Sequence, residues 1–238
     1  MKKESWADIM PKLLFGGMLL ACVLLSVFFL VQGVKAVESD TDAVLNTLVI
    51  DPGHGGIDGG AISAEGIKES DINLAIAIRL EKILVFLGQP VRLTRSDDSC
   101  KTDFSNYSEH EDLEERTSFI NGTPGAILIS IHQNDFLTSQ PSGSQVLYAS
   151  TPGSEELGKR CHQNLISSLD PENRRVAEPA PKALYITSHV TCPAVLVECG
   201  FMSNNFDVQK LCRGEYQCAI ALILSASLLQ YLNDTTIL

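Results

Sequence analysis

Basic residues are scarce in this 238-residue chain: Lys and Arg number 18 against 29 Asp and Glu, a formal charge of −11. That deficit excludes a protein whose affinity comes from neutralising nucleic-acid phosphates. Internal repeats and low-complexity stretches are absent, and 45% hydrophobic with 20% charged residues is a globular composition, neither disordered nor collagen-like. The HEXXH helix of metalloproteases is also missing. No second domain fits in the length left after the N-terminal segment.

What is present begins with 22 consecutive uncharged residues, 13–34, long enough to cross a bilayer as a helix. Lys2, Lys3 and Lys12 precede the run and only Lys35 follows before Glu38, which puts residues 1–12 in the cytoplasm and the remainder outside. An uncleaved anchor is the preferred reading. The alternative is a cleaved signal peptide, for which Val34-Lys35-Ala36 offers small residues. Residues 35–46 form a polar linker, and residues 47–238 form the exported domain. Without the +1 of residues 1–12 the rest of the chain carries −12, so it does not hold anionic wall polymers or lipid by net charge. Of seven cysteines, Cys22 lies in the apolar run; the other six allow fifteen full pairings. Most are read as buried thiols, with a disulfide from Cys192 to another loop cysteine left open.

The run Leu48-Val49-Ile50 ends at Asp51-Pro52-Gly53-His54-Gly55-Gly56, a buried strand entering a glycine-rich loop. Ser70 or Asp71 then caps a helix whose Ile72, Ile76, Leu80, Ile83, Leu84 and Leu87 keep the helical period until Gly88 and Pro90. Further strands are expected at residues 91–95, 126–131, 145–149, 183–187 and 194–197, and further helices at 113–120, 154–169 and 216–232. Alternating strands and helices, several strands being uninterrupted apolar runs, imply a single three-layer α/β domain with a largely parallel sheet. In such sheets functional groups gather beyond the strand ends.

Three strand ends here carry His54, His132 and Glu198, and Glu69 closes the first loop. Two histidines and a carboxylate from separate elements are a ligand set for catalytic Zn2+ with one position open. Their spacing matches no local zinc motif, so the argument rests on placement: glycines flank His54, and His132 leaves an apolar strand. Glu198, closing Val195-Leu196-Val197, is costly to bury without a partner. It fits a base whose pKa is raised by desolvation; the competing reading is a buried ion pair with Arg116. His110, His162 and His189 read as surface or packing residues, and Asp58, Glu65 and Asp71 as loop and cap carboxylates. Asn134, Arg116 and Arg175 are the candidate substrate contacts. Cys199 faces away from Glu198 by strand alternation, which makes it a poor nucleophile.

Over residues 48–232 these motifs resemble the zinc-dependent N-acetylmuramoyl-L-alanine amidases of the amidase-3 type. The marks are Ile50 to Gly56 with Asp58-Gly59-Gly60-Ala61, Lys68-Glu69, Leu93-Thr94-Arg95, Ser130-Ile131-His132 with Asn134, and Pro193 to Glu198 with Gly200-Phe201 and Ser203-Asn204. The resemblance implies a six-stranded α/β sheet flanked by helices, with His54, Glu69 and His132 as Zn2+ ligands and Glu198 as the catalytic carboxylate. It implies hydrolysis of the amide joining the lactyl group of N-acetylmuramic acid to L-alanine in peptidoglycan. Within the family the chain is most similar to the germination-specific amidases of spore formers, which act on spore cortex and begin muramic δ-lactam formation. The N-terminal apolar segment, the acidic loop with Tyr107, Val190-Thr191 before Cys192-Pro193 and the lack of wall-binding repeats carry that similarity. The dozen residues after His132 leave no room for the occluding helix of cell-division amidases. Such a protein works outside the cytoplasmic membrane, in a spore former between the forespore membranes, and an accessory or activating protein is an expected partner. Gln133, Asp135 and Asn205 depart from the family pattern and put substrate-side contacts in question. The rival readings are a zinc peptidase acting on wall stem peptides and a non-catalytic peptidoglycan-binding protein.

Overall fold

The computed structural model describes residues 46–100 and 107–236. The expected anchor or signal segment, with Cys22, lies outside the described residues. Apolar runs become strands where both sheet faces are covered, and β1 (Thr47–Pro52) and β3 (Ala126–Asn134) are buried almost throughout. With β2 (Val91–Leu93), β4 (Gln145–Tyr148), β5 (Glu178–Pro179) and β6 (Ala194–Phe201) they form one six-stranded sheet, ordered β2-β1-β3-β6-β4-β5. The β2, β1, β3 and β6 strands run parallel, while β4 pairs antiparallel to β6.

The two faces are covered unequally. On one, α1 (Glu69–Phe86), α3 (Ser154–Leu169) and α6 (Gly214–Thr236) bury the larger core around Ile50, Ile76, Ile129, Leu165, Val197 and Leu224. On the other, α2 (Glu109–Asn121) and the short α4 (Tyr185–His189) cover a smaller cluster of Val49, Ile120, Leu128, Ile186 and Ala194. A further helix, α5 (Asn205–Leu211), sits between β6 and α6. Although α6 has the length and hydropathy of a membrane span, its Ile220, Ala221, Leu224 and Leu228 are buried in the core, which accounts for the apolarity.

Several expectations are corrected. Residues 183–187 form no strand: Leu184 N–H donates to the Pro181 carbonyl, the chain turns into α4, and Ile186 packs onto the sheet face instead of entering the sheet. A five-residue apolar run suits either outcome. The α2 helix starts four residues earlier than expected because Ser108 caps it, accepting from Glu111 N–H. Neither Ser70 nor Asp71 caps α1; the residue before it is Lys68, whose side chain makes no cap. Neither β5 nor α5 was expected. Of the cysteines, Cys161, Cys192 and Cys199 are buried, and burial pushes the first two thiols up to about 12 and about 11. By contrast, Cys212 and Cys218 are exposed.

Candidate active site

The parallel register brings the predicted residues to one end of the sheet. Asp51 pairs with Ser130 and His132 with Glu198 across neighbouring strands, so the loop after β1, the end of β3 and the end of β6 converge. Glu69, the first residue of α1, completes the group from above the first loop. His54 Nε2 lies 3.4 Å from Glu69 Oε2, His132 Nδ1 lies 3.1 Å from Glu69 Oε1, and the two imidazoles meet edge to face at 5.0 Å.

Two glycines make this approach sterically feasible. A Cβ on Gly53 would lie 2.1 Å from the His132 ring, and one on Gly60 would lie 2.7 Å from both Glu69 Oε2 and His54. His54 itself takes φ 61°, a left-handed conformation that non-glycine residues rarely adopt. It is held there by two arginines. Arg116 donates to the Pro52 and His54 carbonyls at 2.9 and 2.7 Å, and Arg95 donates to the Pro52 and Gly53 carbonyls at 2.9 Å each.

The donor set fits a metal. One nitrogen or oxygen from each of His54, Glu69 and His132 falls within 4.8 Å of the other two. Donors of a tetrahedral zinc lie about 3.3 Å apart, close to the contacts above. Asp58 Oδ2 sits 2.7 Å from His54 Nδ1, which fixes that nitrogen as the proton carrier and leaves Nε2 with its lone pair. Glu69 is oriented by Ala61 N–H, Gln133 N–H and Asn73 Nδ2, at 3.0, 2.9 and 3.2 Å. Burial works against charge on both His54 and Glu69, yet with no metal present the hydrogen bonds His54 donates to Asp58 and Glu69 push it up to about 10. The same histidines hold Glu69 well below the usual carboxylate range against its burial.

Glu198 differs from Glu69 in its surroundings. Its Oε2 is buried without a hydrogen-bond partner among the described residues, and burial pushes its pKa up to about 7. It shares a cavity of about 230 Å3 with His54, His132, Leu113, Leu196 and α4. A carboxylate poised near neutrality beside a metal-binding donor set is equipped to accept and return a proton.

Arg116 pairs with neither Glu198 nor solvent. It is 2% exposed, with its guanidinium 3.0 Å from Asp51 Oδ1 and 2.6 Å from Asp112 Oδ2, so it braces the site from within. Asp51 also accepts from Thr94 and Ser130, at 2.6 and 2.8 Å; burial pushes its pKa up, but Arg116 and these hydrogen bonds together hold it down. Arg175 is partly exposed, lies 5.0 Å over the Phe201 ring and donates to the Ser142 carbonyl. His162, read as a packing residue, is buried with Nε2 2.8 Å from the Arg175 carbonyl. Asn134, at the end of β3, holds the β3 to β6 junction through its carbonyl, which accepts from Met202 N–H at 2.7 Å. Gln133 points inward to Asn73, so that departure from the family pattern touches the core and not substrate. Sequence reasoning set Asp58 aside as a loop carboxylate. Its position four residues beyond His54 in a glycine turn was the available signal.

A donor triad able to hold a metal beside a desolvated carboxylate, at the end of a mostly parallel sheet, fits an amide hydrolase of α/β architecture. The chain belongs to the N-acetylmuramoyl-L-alanine amidase family, whose model matches residues 48–229, and its substrate is peptidoglycan. It is 31% identical over 192 residues to the germination-specific N-acetylmuramoyl-L-alanine amidase of Bacillus subtilis, covering 79% of this chain and 80% of that one. Among solved structures it matches the CwlD amidase of Clostridioides difficile in complex with the GerS lipoprotein, with 33% identity and a TM-score of 0.75, over 79% of this chain and 98% of that one. An N-acetylmuramoyl-L-alanine amidase from Clostridium difficile 630 matches at 29% identity and a TM-score of 0.71, over 80% of this chain and 98% of that one.

Proposed function

We propose that this chain is a zinc-dependent amidase that cleaves the lactyl to L-alanine bond of spore-cortex peptidoglycan during sporulation, leaving muramic acid free to form δ-lactam. The observation that carries the chemistry is Glu198, desolvated and registered beside His132 of the donor triad. His54, Glu69 and His132 hold the zinc, which when bound supplies Lewis-acid polarisation of the carbonyl and charge stabilisation of the oxyanion. Glu198 accepts the proton of the attacking water, then delivers it to the alanine nitrogen, which must be protonated to leave. Asp58 keeps the His54 proton on Nδ1 throughout.

The cortex assignment draws on the likeness to the germination-specific amidase of Bacillus subtilis. By analogy with the CwlD and GerS assembly, a lipoprotein-like partner docks on this chain. Residues 13–34 anchor it to the membrane, with the catalytic domain on the outer side, between the membranes of the forespore.

The test is incubation of the zinc-loaded protein with vegetative sacculi and with spore cortex, reading the released fragments by mass spectrometry. Free stem peptides beginning with L-alanine, released from cortex, are expected. Glu198→Gln is expected to lose activity by about 100-fold or more while keeping stoichiometric zinc. Shortened peptides still attached to muramic acid would replace this reading with a peptidase, and full activity in Glu198→Gln would remove Glu198 from its role.

A further inference from the structure

The row of β3 side chains that faces α1 is Ile127, Ile129 and Ile131, and then, at the end nearest the donor triad, Gln133. A long amide buried at the end of an isoleucine row is costly unless it is used. Its Nε2 donates to Asn73 Oδ1 at 3.1 Å, and on its other side the amide meets the buried Cys199 thiol of β6. Its Oε1 is buried with no hydrogen-bond partner among the described residues.

Asn73 stands four residues after Glu69, on the same face of α1, and is fully buried. Its Nδ2 donates to the Gly53 carbonyl and to Glu69 Oε1, at 3.2 Å each. Turning the amide over would set Oδ1 against two acceptors, so only one orientation satisfies it. The two amides therefore form a bridge that touches all three donor-bearing segments. Gly53 precedes His54, Glu69 is contacted directly, and Gln133 follows His132 and also gives its backbone N–H to Glu69 Oε1 at 2.9 Å. Arg95 spans less: it joins the Gly53 and Ser70 carbonyls, which links the first loop to α1 without reaching β3.

We infer that Asn73 and Gln133 are positioning residues for the metal, with the Gln133 side chain acting through Asn73. This rests on the reading of His54, Glu69 and His132 as zinc ligands and adds what sets their spacing. Without the bridge the Glu69 carboxylate loses one of the donors that fix its plane, and the loop before His54 loses its tie to β3. Gln133 departs from the family pattern, so its half of the bridge is a feature of this chain.

The experiment measures Zn2+ affinity of the full chain by competition with a chromophoric chelator, for Gln133→Met, Asn73→Leu and the double variant. Gln133→Met is expected to weaken Zn2+ binding by about 10-fold and Asn73→Leu by about 100-fold, and the double variant is expected to match Asn73→Leu alone. The visible spectrum of the Co2+-loaded protein is expected to shift in Gln133→Met. The urea midpoint of metal-free Gln133→Met is expected to stay where it is, because one buried carbonyl oxygen lacks a partner before the change, on Gln133, and one after it, on Asn73. A Zn2+ affinity within about 2-fold of the parent together with an unchanged Co2+ spectrum would overturn the bridge. Additive losses in the double variant would overturn the route through Asn73, and a urea midpoint that falls along with the affinity would make Gln133 a fold residue only. Should Asn73→Leu fail to fold, Gln133→Met decides alone. A parent chain that binds no stoichiometric Zn2+ would instead overturn the metal reading, and the bridge with it.

Discussion

Glu198 and Asp58 show what single residues cost and contribute in this fold. Burial raises the Glu198 pKa from 4.5 to about 7. A carboxyl whose folded pKa lies above its unfolded value costs stability once both states are ionised. The cost is absent below about pH 4, grows as pH rises through the two values and is complete above pH 7. Glu198→Gln is therefore expected to stabilise the metal-free protein at pH 8, by about 3 kcal/mol at most, and to leave it unchanged at pH 4, as read by urea unfolding. Asp58 contributes in the other direction. Asp58→Ala frees the His54 tautomer and is expected to weaken zinc binding by about 10- to 100-fold in a chelator competition, with little change in folding stability. That His54, His132 and Glu198 gather at one sheet end was legible in the sequence because each stands where an apolar strand meets a loop, and Glu69 because it closes the first of those loops. Asp58 was not, because a carboxylate in a glycine turn serves a loop as readily as a histidine. The pairing of Arg116 with Asp51 was not legible, because nothing in its surrounding acidic helix shows that its side chain runs inward.

Among the elements, α2 is the one that locks the first loop in place. Its Arg116 is shared between Asp51 of β1 and Asp112 one turn earlier, all three buried. Removing one member of such a group strands the rest without solvent. Arg116→Met is expected to destabilise the fold by about 3–5 kcal/mol in urea unfolding, and adding Asp51→Asn should recover part of that loss. The long apolar strands and periodic helices were legible because burial on both faces writes itself as a continuous run. The α4 segment was not, because five residues with an apolar centre satisfy either period, and its choice is made by the turn at Pro181 and the uncovered patch on the sheet. β5 has only two residues and no apolar pattern of its own, so its pairing with β4 is a product of the assembled sheet.

For the molecule as a whole, the donor triad ties three separate segments together, and a metal there cross-links the sheet end. Zinc at about 100 times its dissociation constant adds about 2.7 kcal/mol, so excess EDTA is expected to lower the melting temperature of the loaded protein by about 5–10 °C in calorimetry. The unequal cover of the two faces gives a further measurable outcome. Amides of α4, held over a small apolar cluster, are expected to exchange with deuterium well before those of α1 and α3. The order in which the chain delivers its site is also asymmetric. His54, Glu69 and His132 are all present once β3 is made, whereas Glu198 arrives only with β6, which must slot in between β3 and β4. A polypeptide emerging from its N-terminus thus owns its complete set of metal donors before it owns the group that would make the metal dangerous to nearby amides. On the proposed mechanism, hydrolytic competence is in this way deferred until the last strand is seated.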